Sequence, residues 1–380
     1  MQSLGAYIKS SLTVLQVLPA LQGGGVERGT LEVAAELVRR GHRSLVVSAG
    51  GRLLPELLAS GSEHINYPLG RKSLSSLRYV VALRRLLKLA SVDVVHARSR
   101  LPAWITWLAW SSMDAATRPR FITTLHGLYS VNAYSAVMTK GEQVIAVSAV
   151  ARDYALRHYP AVDPARLQVI HRGVDPAVFP KGFRPRQAWL ADWTRRYPQL
   201  QDRYVITLPG RVGPRKGALD FIALIGALRH AGHNVHGLIV GEIAKRDRTL
   251  ARQLKTAVKD AGIADALTCT GFREDVREIM SVSGAVVSLS SYPEAFGRTV
   301  NEALSLGVPV AGYDHGGVGE QLARHFPAGR VPFGNRVAMA ERLADWIALP
   351  PAMVKVQPYT LDDMLNKTLD LYQRVAATDR

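Results

Sequence analysis

The sequence predicts an α/β protein of two Rossmann-like, doubly wound parallel sheets facing each other across a cleft. Three observations predict it. Short Val, Ile and Leu runs alternate with amphipathic helical patterns almost from end to end. The alternation breaks once, over residues 176–201, which are rich in Pro, Trp, Arg and Gln, and then restarts. Glycine-rich loops stand where strands hand over to helices. Short apolar strands separated by amphipathic helices mean a parallel sheet covered on both sides. Ligands of such sheets bind outside the carboxyl ends of the strands, so two halves place the site in the cleft between them.

The first half opens on a strand-like run, Leu12–Pro19, followed by Gly23, Gly24 and Gly25 and a helical pattern over Val26–Arg40. Ser44–Ser48 reads as a strand, Leu74–Ala90 as a helix and Val92–His96 as a strand. Pro102–Met113 reads as a helix whose three tryptophans, Trp104, Trp107 and Trp110, favour core packing. Arg120–Leu125 and Gln143–Val147 are strand-like, Val150–Tyr159 helical and Leu167–Ile170 strand-like. After the break, strands at Tyr204–Leu208, Val235–Val240, Leu267–Thr270, Ala285–Leu289 and Val308–Ala311 alternate with helices at Ala218–Ala231, Arg248–Ala261, Asp275–Ser281 and Thr299–Leu306. Helices at Ala338–Ile347 and Leu361–Val375 end the chain. The expected domains are 1–178, a linker at 179–203, 204–348, and a helical tail at 349–380 that packs back on the first domain.

Length and composition narrow the function. With 380 residues, 47% of them hydrophobic, the chain supports two ordinary cores. Its single cysteine, Cys269, excludes an internal disulfide framework and fits a reducing cytoplasm. The strand-like setting of Cys269 predicts a buried, inert thiol. No Cys/His cluster has zinc spacing. The net charge is +17, from 48 basic and 31 acidic residues, which favours nucleic acid, anionic membrane or phosphorylated substrates as partners. The apolar run Leu12–Leu21 reads as a strand rather than a leader peptide, because it lacks a small-residue cleavage site. No stretch reaches the ~18 apolar residues of a membrane span.

Two carboxylates, Glu294 and Glu302, stand eight residues apart around Pro293 and Gly297. The flanking patterns put Glu294 in a loop above a strand and Glu302 about one turn into a helix. The helix N-terminus between them carries unpaired N–H groups and a positive dipole end, which suits an anion. The loop Pro209–Gly217 offers Arg211 for a bidentate grip on phosphate oxygens and Lys216 as a compact charge, with Arg215 a weaker candidate. Gly24 and Gly25 let the backbone approach an anion closely. His126, followed by Gly127, closes a strand where cleft residues belong. Arg98, Arg172, Glu242 and Glu320 occupy similar strand-end loops and are secondary candidates.

In this order and combination, these motifs resemble the retaining glycosyltransferases of GT-B fold, glycosyltransferase family 4, of the bacterial lipopolysaccharide or envelope-glycan type. The matching pieces are Gly24 to Glu27, His126-Gly127, Gly210 to Gly217, Glu294 with Glu302, and Gly316-Gly317 with Glu320. The resemblance implies that Arg211 and Lys216 bind a donor diphosphate. It further implies that Glu302 holds the ribose, Glu294 the transferred sugar, and the main chain of Phe296, Gly297 and Arg298 the phosphates. Gly24 and Gly25 would approach donor or acceptor, and His126 would line the reacting sugar. No metal or other cofactor is implied, and no Asp-x-Asp triplet occurs. The implied donor is a nucleotide sugar, a UDP-sugar first, and the acceptor a glycan or glycolipid. Two positions depart from the family pattern: Arg172 stands where Asn is common, and Gly241–Lys245 replaces a glycine-rich loop.

A basic, leucine-rich segment, Arg71 to Lys88, carries Arg71, Lys72, Arg78, Arg84, Arg85 and Lys88 without an acid. It reads either as an interfacial helix on anionic lipid at the inner face of the cytoplasmic membrane or as a domain helix with a solvated basic face. The competing functions are a nucleotide-sugar epimerase or a phosphorylase of the same fold, and a basic nucleic-acid-binding protein. The last lacks aromatics interleaved with its basic clusters and any helix-turn-helix or OB pattern, so no nucleic-acid partner is expected.

Overall fold

The computed structural model describes residues 11–70, 73–243, 247–353 and 358–378. The chain divides into two compact units, residues 1–172 with 362–380, and residues 173–361.

In the first unit the elements run β1 (Thr13–Val17), α1 (Gly25–Arg39), β2 (Arg43–Ser48), α2 (Leu54–Ala59), β3 (Glu63–Asn66), α3 (Arg78–Leu89), β4 (Val94–Ala97), α4 (Arg100–Ser111), β5 (Arg120–Leu125), β6 (Gln143–Ala146), α5 (Ala149–His158) and β7 (Leu167–Val169). All seven strands are parallel, in the order β3-β2-β1-β4-β5-β6-β7. Burial of Val14, Leu15, Val17, Val94, Val95, Phe121 and Ile122 to 0% exposure shows why these runs are apolar without alternation: helices cover both faces.

The second unit contains α6 (Gln187–Arg196), β8 (Tyr204–Pro209), α7 (Ala218–His230), β9 (Val235–Val240), α8 (Arg248–Asp260), β10 (Leu267–Gly271), α9 (Val276–Ser281), β11 (Ala285–Ser288), α10 (Arg298–Leu306), β12 (Val310–Tyr313), α11 (Gly316–His325), β13 (Arg330–Val331) and α12 (Arg336–Ala348). Its six strands are also parallel, in the order β10-β9-β8-β11-β12-β13. The last helix, α13 (Leu361–Ala377), belongs to the first unit from Asp362 onward.

Two short elements, α2 and β3, lie between the patterns legible in the sequence. Helix α6 lies inside the aperiodic segment 176–201. Trp189 stacks on Trp193 at 5.1 Å, and Trp193 and Tyr197 join a buried cluster with Leu238, Val240 and Ile279. Three aromatics at i, i+4 and i+8 thus make one face of this helix. Cys269 corrects an expectation. It is exposed, not buried, because β10 is an edge strand of its sheet and its faces are only partly covered.

The strand orders locate the binding edges. In each sheet the chain winds outward on one side, returns to the centre and winds outward on the other. The switch falls between β1 and β4 in the first unit and between β8 and β11 in the second. Loops leaving those neighbours diverge and open a crevice. Gly217 shows how tightly the second is built. Its φ is +73°, and a Cβ there would lie 1.9 Å from the Leu289 carbonyl oxygen. Gly217→Ala should therefore destabilise the second unit by about 2–4 kcal/mol, from left-handed strain plus a backbone clash. Urea unfolding checks this; an unchanged midpoint would contradict the packing.

Candidate active site

At the switch point of the second unit, the loop after β8 carries Arg211, Arg215 and Lys216, and the loop after β11 carries Glu294. Lys216 Nζ donates to Glu294 Oε1 at 2.8 Å, and Ser290 Oγ donates to the same oxygen at 2.5 Å. The Ser291 N–H donates to the Arg215 carbonyl at 2.9 Å, so the two loops are also joined by main chain. Tyr292 lies against the Arg215 guanidinium at 4.8 Å. Arg211 is exposed on the same loop.

The Glu294 loop is held from behind. Its carbonyl accepts the Gly317 N–H at 2.7 Å. Gly316 and Gly317 lie so close that a Cβ on either would meet Glu294 or Ala295 main chain within 2.6 Å. Gln321, on α11, donates to the carbonyls of Phe296 and Gly297, and His315 Nε2 lies 2.8 Å from the Ser290 carbonyl. Gly297 has φ +89° and caps α10, whose first residue is Arg298. Glu302 stands one turn into that helix and accepts from Arg298 Nε at 2.8 Å. Glu294 and Glu302 thus flank a helix N-terminus. Asn301 is fully buried and ties α10 to Tyr359 through both main-chain groups.

Two secondary candidates lie apart from these pairs. Glu242 is exposed; its carbonyl, not its carboxylate, accepts the Val212 N–H at 3.1 Å. Glu320 faces Tyr359 from α11. Ser290, His315 and Gln321 brace the Glu294 loop and are not among the residues the sequence pattern singled out. Ser290 could have been found, since it sits four residues before Glu294.

In the first unit, Gly24 and Gly25 open α1 after β1, Arg98 follows β4, His126 follows β5 and Arg172 follows β7. Arg98, His126 and Arg172 come together. Arg98 and Arg172 are buried, at 2% and 8% exposure. Arg172 donates to the Gly25 carbonyl at 3.0 Å and lies 3.5 Å from Glu32. Gly29 on α1 makes the room: a Cβ there would sit 1.7 Å from the Arg172 guanidinium. His126 Nε2 is buried without a hydrogen-bond partner. Burial, then the Arg172 and Arg98 charges, push the His126 imidazole well below its ordinary pKa, so it is neutral. Burial does the same to His96, on β4. Among the described residues, no cluster of His, Cys, Asp and Glu forms a metal site, and no helix is long and apolar enough to cross a membrane.

The model of glycosyltransferase family 4 matches residues 23–178, and that of glycosyl transferases group 1 matches residues 192–361. A 2-deoxystreptamine N-acetyl-D-glucosaminyltransferase of Streptomyces fradiae is 30% identical over 170 residues, 43% of this chain but only 39% of that relative. An alpha-maltose-1-phosphate synthase of Mycolicibacterium smegmatis is 26% identical over 285 residues, 68% of this chain and 70% of that one. Among solved structures, a glycosyltransferase from Rickettsia africae superposes with a TM-score of 0.85 at 29% identity, covering 97% of this chain and 99% of that one. HepE of Anabaena with UDP-glucose gives 0.79 at 17%, covering 96% and 100%. The lipopolysaccharide glycosyltransferase WaaG gives 0.68 at 18%, covering 96% and 98%.

The buried histidines predict a pH dependence of stability. His96 and His126 are held well below their ordinary pKa, and His236 is lowered to about 4, mainly by burial. The unfolded chain then binds more protons than the folded one below about pH 6.5, so stability is full above that pH and falls as pH drops. Each histidine contributes up to ~1.4 kcal/mol per pH unit. Urea midpoints at pH 7.5, 6 and 5 should fall in that order; a flat series would show that the histidines protonate in place.

Proposed function

We propose that this chain, a glycosyltransferase of the GT-B fold, moves a sugar from a nucleoside diphosphate donor, a UDP-sugar first, to a lipid-linked or lipopolysaccharide-type glycan. The transfer retains anomeric configuration and uses protein cations in place of a metal. The observation that carries this reading is the 2.8 Å pairing of Lys216 with Glu294 across the switch point, beside the N-terminus of α10. One group suits phosphate, the other suits sugar hydroxyls, and the helix start adds N–H donors.

In this reading Arg211 and Lys216 meet the diphosphate, assisted by the main chain of Phe296 to Arg298. Glu302 accepts from the ribose and Glu294 from the transferred sugar. His126, being neutral, can donate or accept one hydrogen bond to a sugar hydroxyl. Gly24 and Gly25 leave the backbone open to close approach. The acceptor oxygen bonds to the anomeric carbon on the face from which the diphosphate departs. Its proton passes to the departing phosphate oxygen, so no side-chain base is required. Cations fixed where that negative charge develops are worth roughly 3 kcal/mol each. The UDP-glucose named with HepE makes uridine donors the first choice to test, and WaaG suggests the acceptor class.

The acceptor class brings a membrane surface into the reading. Helix α3 exposes Arg78, Arg84, Arg85 and Lys88 together with Leu77, Val81 and Leu89, the last at 79% exposure. Arg71 and Lys72 lie outside the described residues. A face that mixes cations with exposed apolar side chains suits anionic lipid, at ~1 kcal/mol per basic residue.

Lys216→Ala should lower turnover ~100-fold while costing less than about 1 kcal/mol of stability, because Lys216 is 45% exposed and surface pairs contribute little. UDP, GDP, ADP and dTDP sugars ranked by thermal stabilisation identify the donor, and Glu302→Ala should weaken that stabilisation. Full turnover in the Lys216 variant would remove its assigned role. Arg84, Arg85 and Lys88 changed together to Glu should abolish flotation with anionic vesicles; undiminished flotation would refute the lipid surface.

A further inference from the structure

The polar groups beneath His126 form a connected chain that ends on the last helix. Tyr372, on α13, is fully buried, and its hydroxyl lies 2.6 Å from His96 Nδ1. His96 Nε2 lies 2.6 Å from Thr124 Oγ1. Thr124, on β5, accepts the His126 backbone N–H at its carbonyl, at 3.1 Å. The Arg98 guanidinium stands beside the same Tyr372 hydroxyl, and its Nε is buried without a hydrogen-bond partner. A cavity of about 10 Å³ adjoins these groups, lined by His96, Arg98, Thr124 and Arg172 from one side and by Met364 and Thr368 of α13. It has room for about one water molecule.

Donor counting fixes the direction of this chain. Arg98 has only donors and a positive charge, so the Tyr372 oxygen turns its lone pairs toward it. The one Tyr372 proton then goes to His96 Nδ1. His96 is neutral, so its own proton sits on Nε2 and is donated to Thr124 Oγ1. Every polar atom of Tyr372 and His96 is thereby used, which is what a fully buried network demands. A phenylalanine would serve equally well to fill the space. The hydroxyl is there for His96 and Arg98.

We propose that Tyr372 is a positioning residue for sugar transfer: from the final helix it orients Arg98 and, through His96 and Thr124, the strand end that carries His126. The proposal rests on the reading in which His126 lines the reacting sugar. Helix α13 is then part of the polar cluster of the first unit, not only a strap across it.

The groups that face His126 are Arg98 and His96 from β4 and its loop, Arg172 after β7 and Tyr129 on its own loop; Glu32 of α1 stands beside Arg172. Both guanidiniums oppose a charged imidazole. Burial is the larger cause of the lowered His126 pKa, and the Arg98 charge adds to it. Without the Tyr372 hydroxyl a buried Arg98 loses its polar neighbour and turns toward water, which weakens that opposition, brings His126 closer to its ordinary range and moves the acid limb of the kcat profile to higher pH.

The test measures kcat, donor KM and the pH profile of the full chain carrying Tyr372→Phe, with donor turnover read as UDP release. The expected result is a kcat about 10-fold lower, a donor KM within about twofold, and an acid limb moved upward, with Arg98→Met moving it the same way. Leu369→Ala, on the same helix and buried outside the network, controls for lost stability and should leave the acid limb in place below its melting temperature. An unchanged kcat and acid limb in Tyr372→Phe, or the same shift in Leu369→Ala, would overturn the proposal. Lys216→Ala separates the two readings: if it loses turnover while Tyr372→Phe does not, only the positioning role fails. If neither loses turnover, the transferase site itself is wrongly placed and the positioning role falls with it.

Discussion

Parallel sheets with one reversal of winding impose the constraint on which this structure depends. Every strand delivers its chemistry to the same edge, and only at the reversal do two adjacent loops turn apart. In the second unit those loops are the ones that hold Lys216 and Glu294. In the first they are the glycine loop before α1 and the loop between β4 and α4, where Arg98 stands. Residues far apart in sequence meet there because the hydrogen-bonded ladder leaves them no alternative. The glycines at 217, 316 and 317 are consequences: loops confined between a strand end and a helix start run too close to neighbouring main chain for a Cβ.

The two units prepare their charges in opposite ways. Lys216 and Glu294 are partly solvated and paired, so the pair carries little desolvation penalty and contributes little stability. Arrival of a diphosphate would exclude water and strengthen the same charges, since Coulomb energy rises as the effective dielectric falls. Arg98 and Arg172 are instead desolvated in the fold itself. Glu32 and the Gly25 carbonyl receive Arg172; Arg98 has the Tyr372 hydroxyl beside it, while its Nε is left without a partner. A buried guanidinium without such partners would cost several kcal/mol.

Sequence pattern revealed what was local. The second sheet's Glu294, Glu302 and Lys216 sit in contiguous strand–loop–helix motifs, and their turn chemistry, Pro293 with Gly297 and Gly210 with Gly217, places them without tertiary information. His126, Arg98 and Arg172 were visible singly as strand-end residues, but nothing in the chain announces that they share one pocket of charge. His96 and Tyr372 were invisible. They are 276 positions apart, and a histidine in an apolar strand has the same local pattern as an inert core residue. Helix α6 escaped because tryptophan is a weak helix signal and its face is built by aromatic stacking on the sheet. Cys269 misled for a related reason: an apolar strand run does not reveal whether the strand is central or at the edge.

Arg172 ties these arguments together. Its guanidinium needs the empty space above Gly29, so a residue on α1 and a residue after β7 are coupled by size, although neither is a motif by itself. Alanine at 29 would be the better helix former by about 1 kcal/mol, so helix propensity works against the residue present. Steric room for a buried charge therefore outweighs propensity at this position. Burial first, and then this charge with that of Arg98, lowers the His126 pKa, which leaves a histidine at the strand edge able to exchange hydrogen bonds with an uncharged hydroxyl. A charged imidazole there could only donate, and beside two guanidiniums it would meet repulsion from both. The identity of one helix glycine is thus linked, through packing and then electrostatics, to the hydrogen-bonding capacity of a residue on another strand.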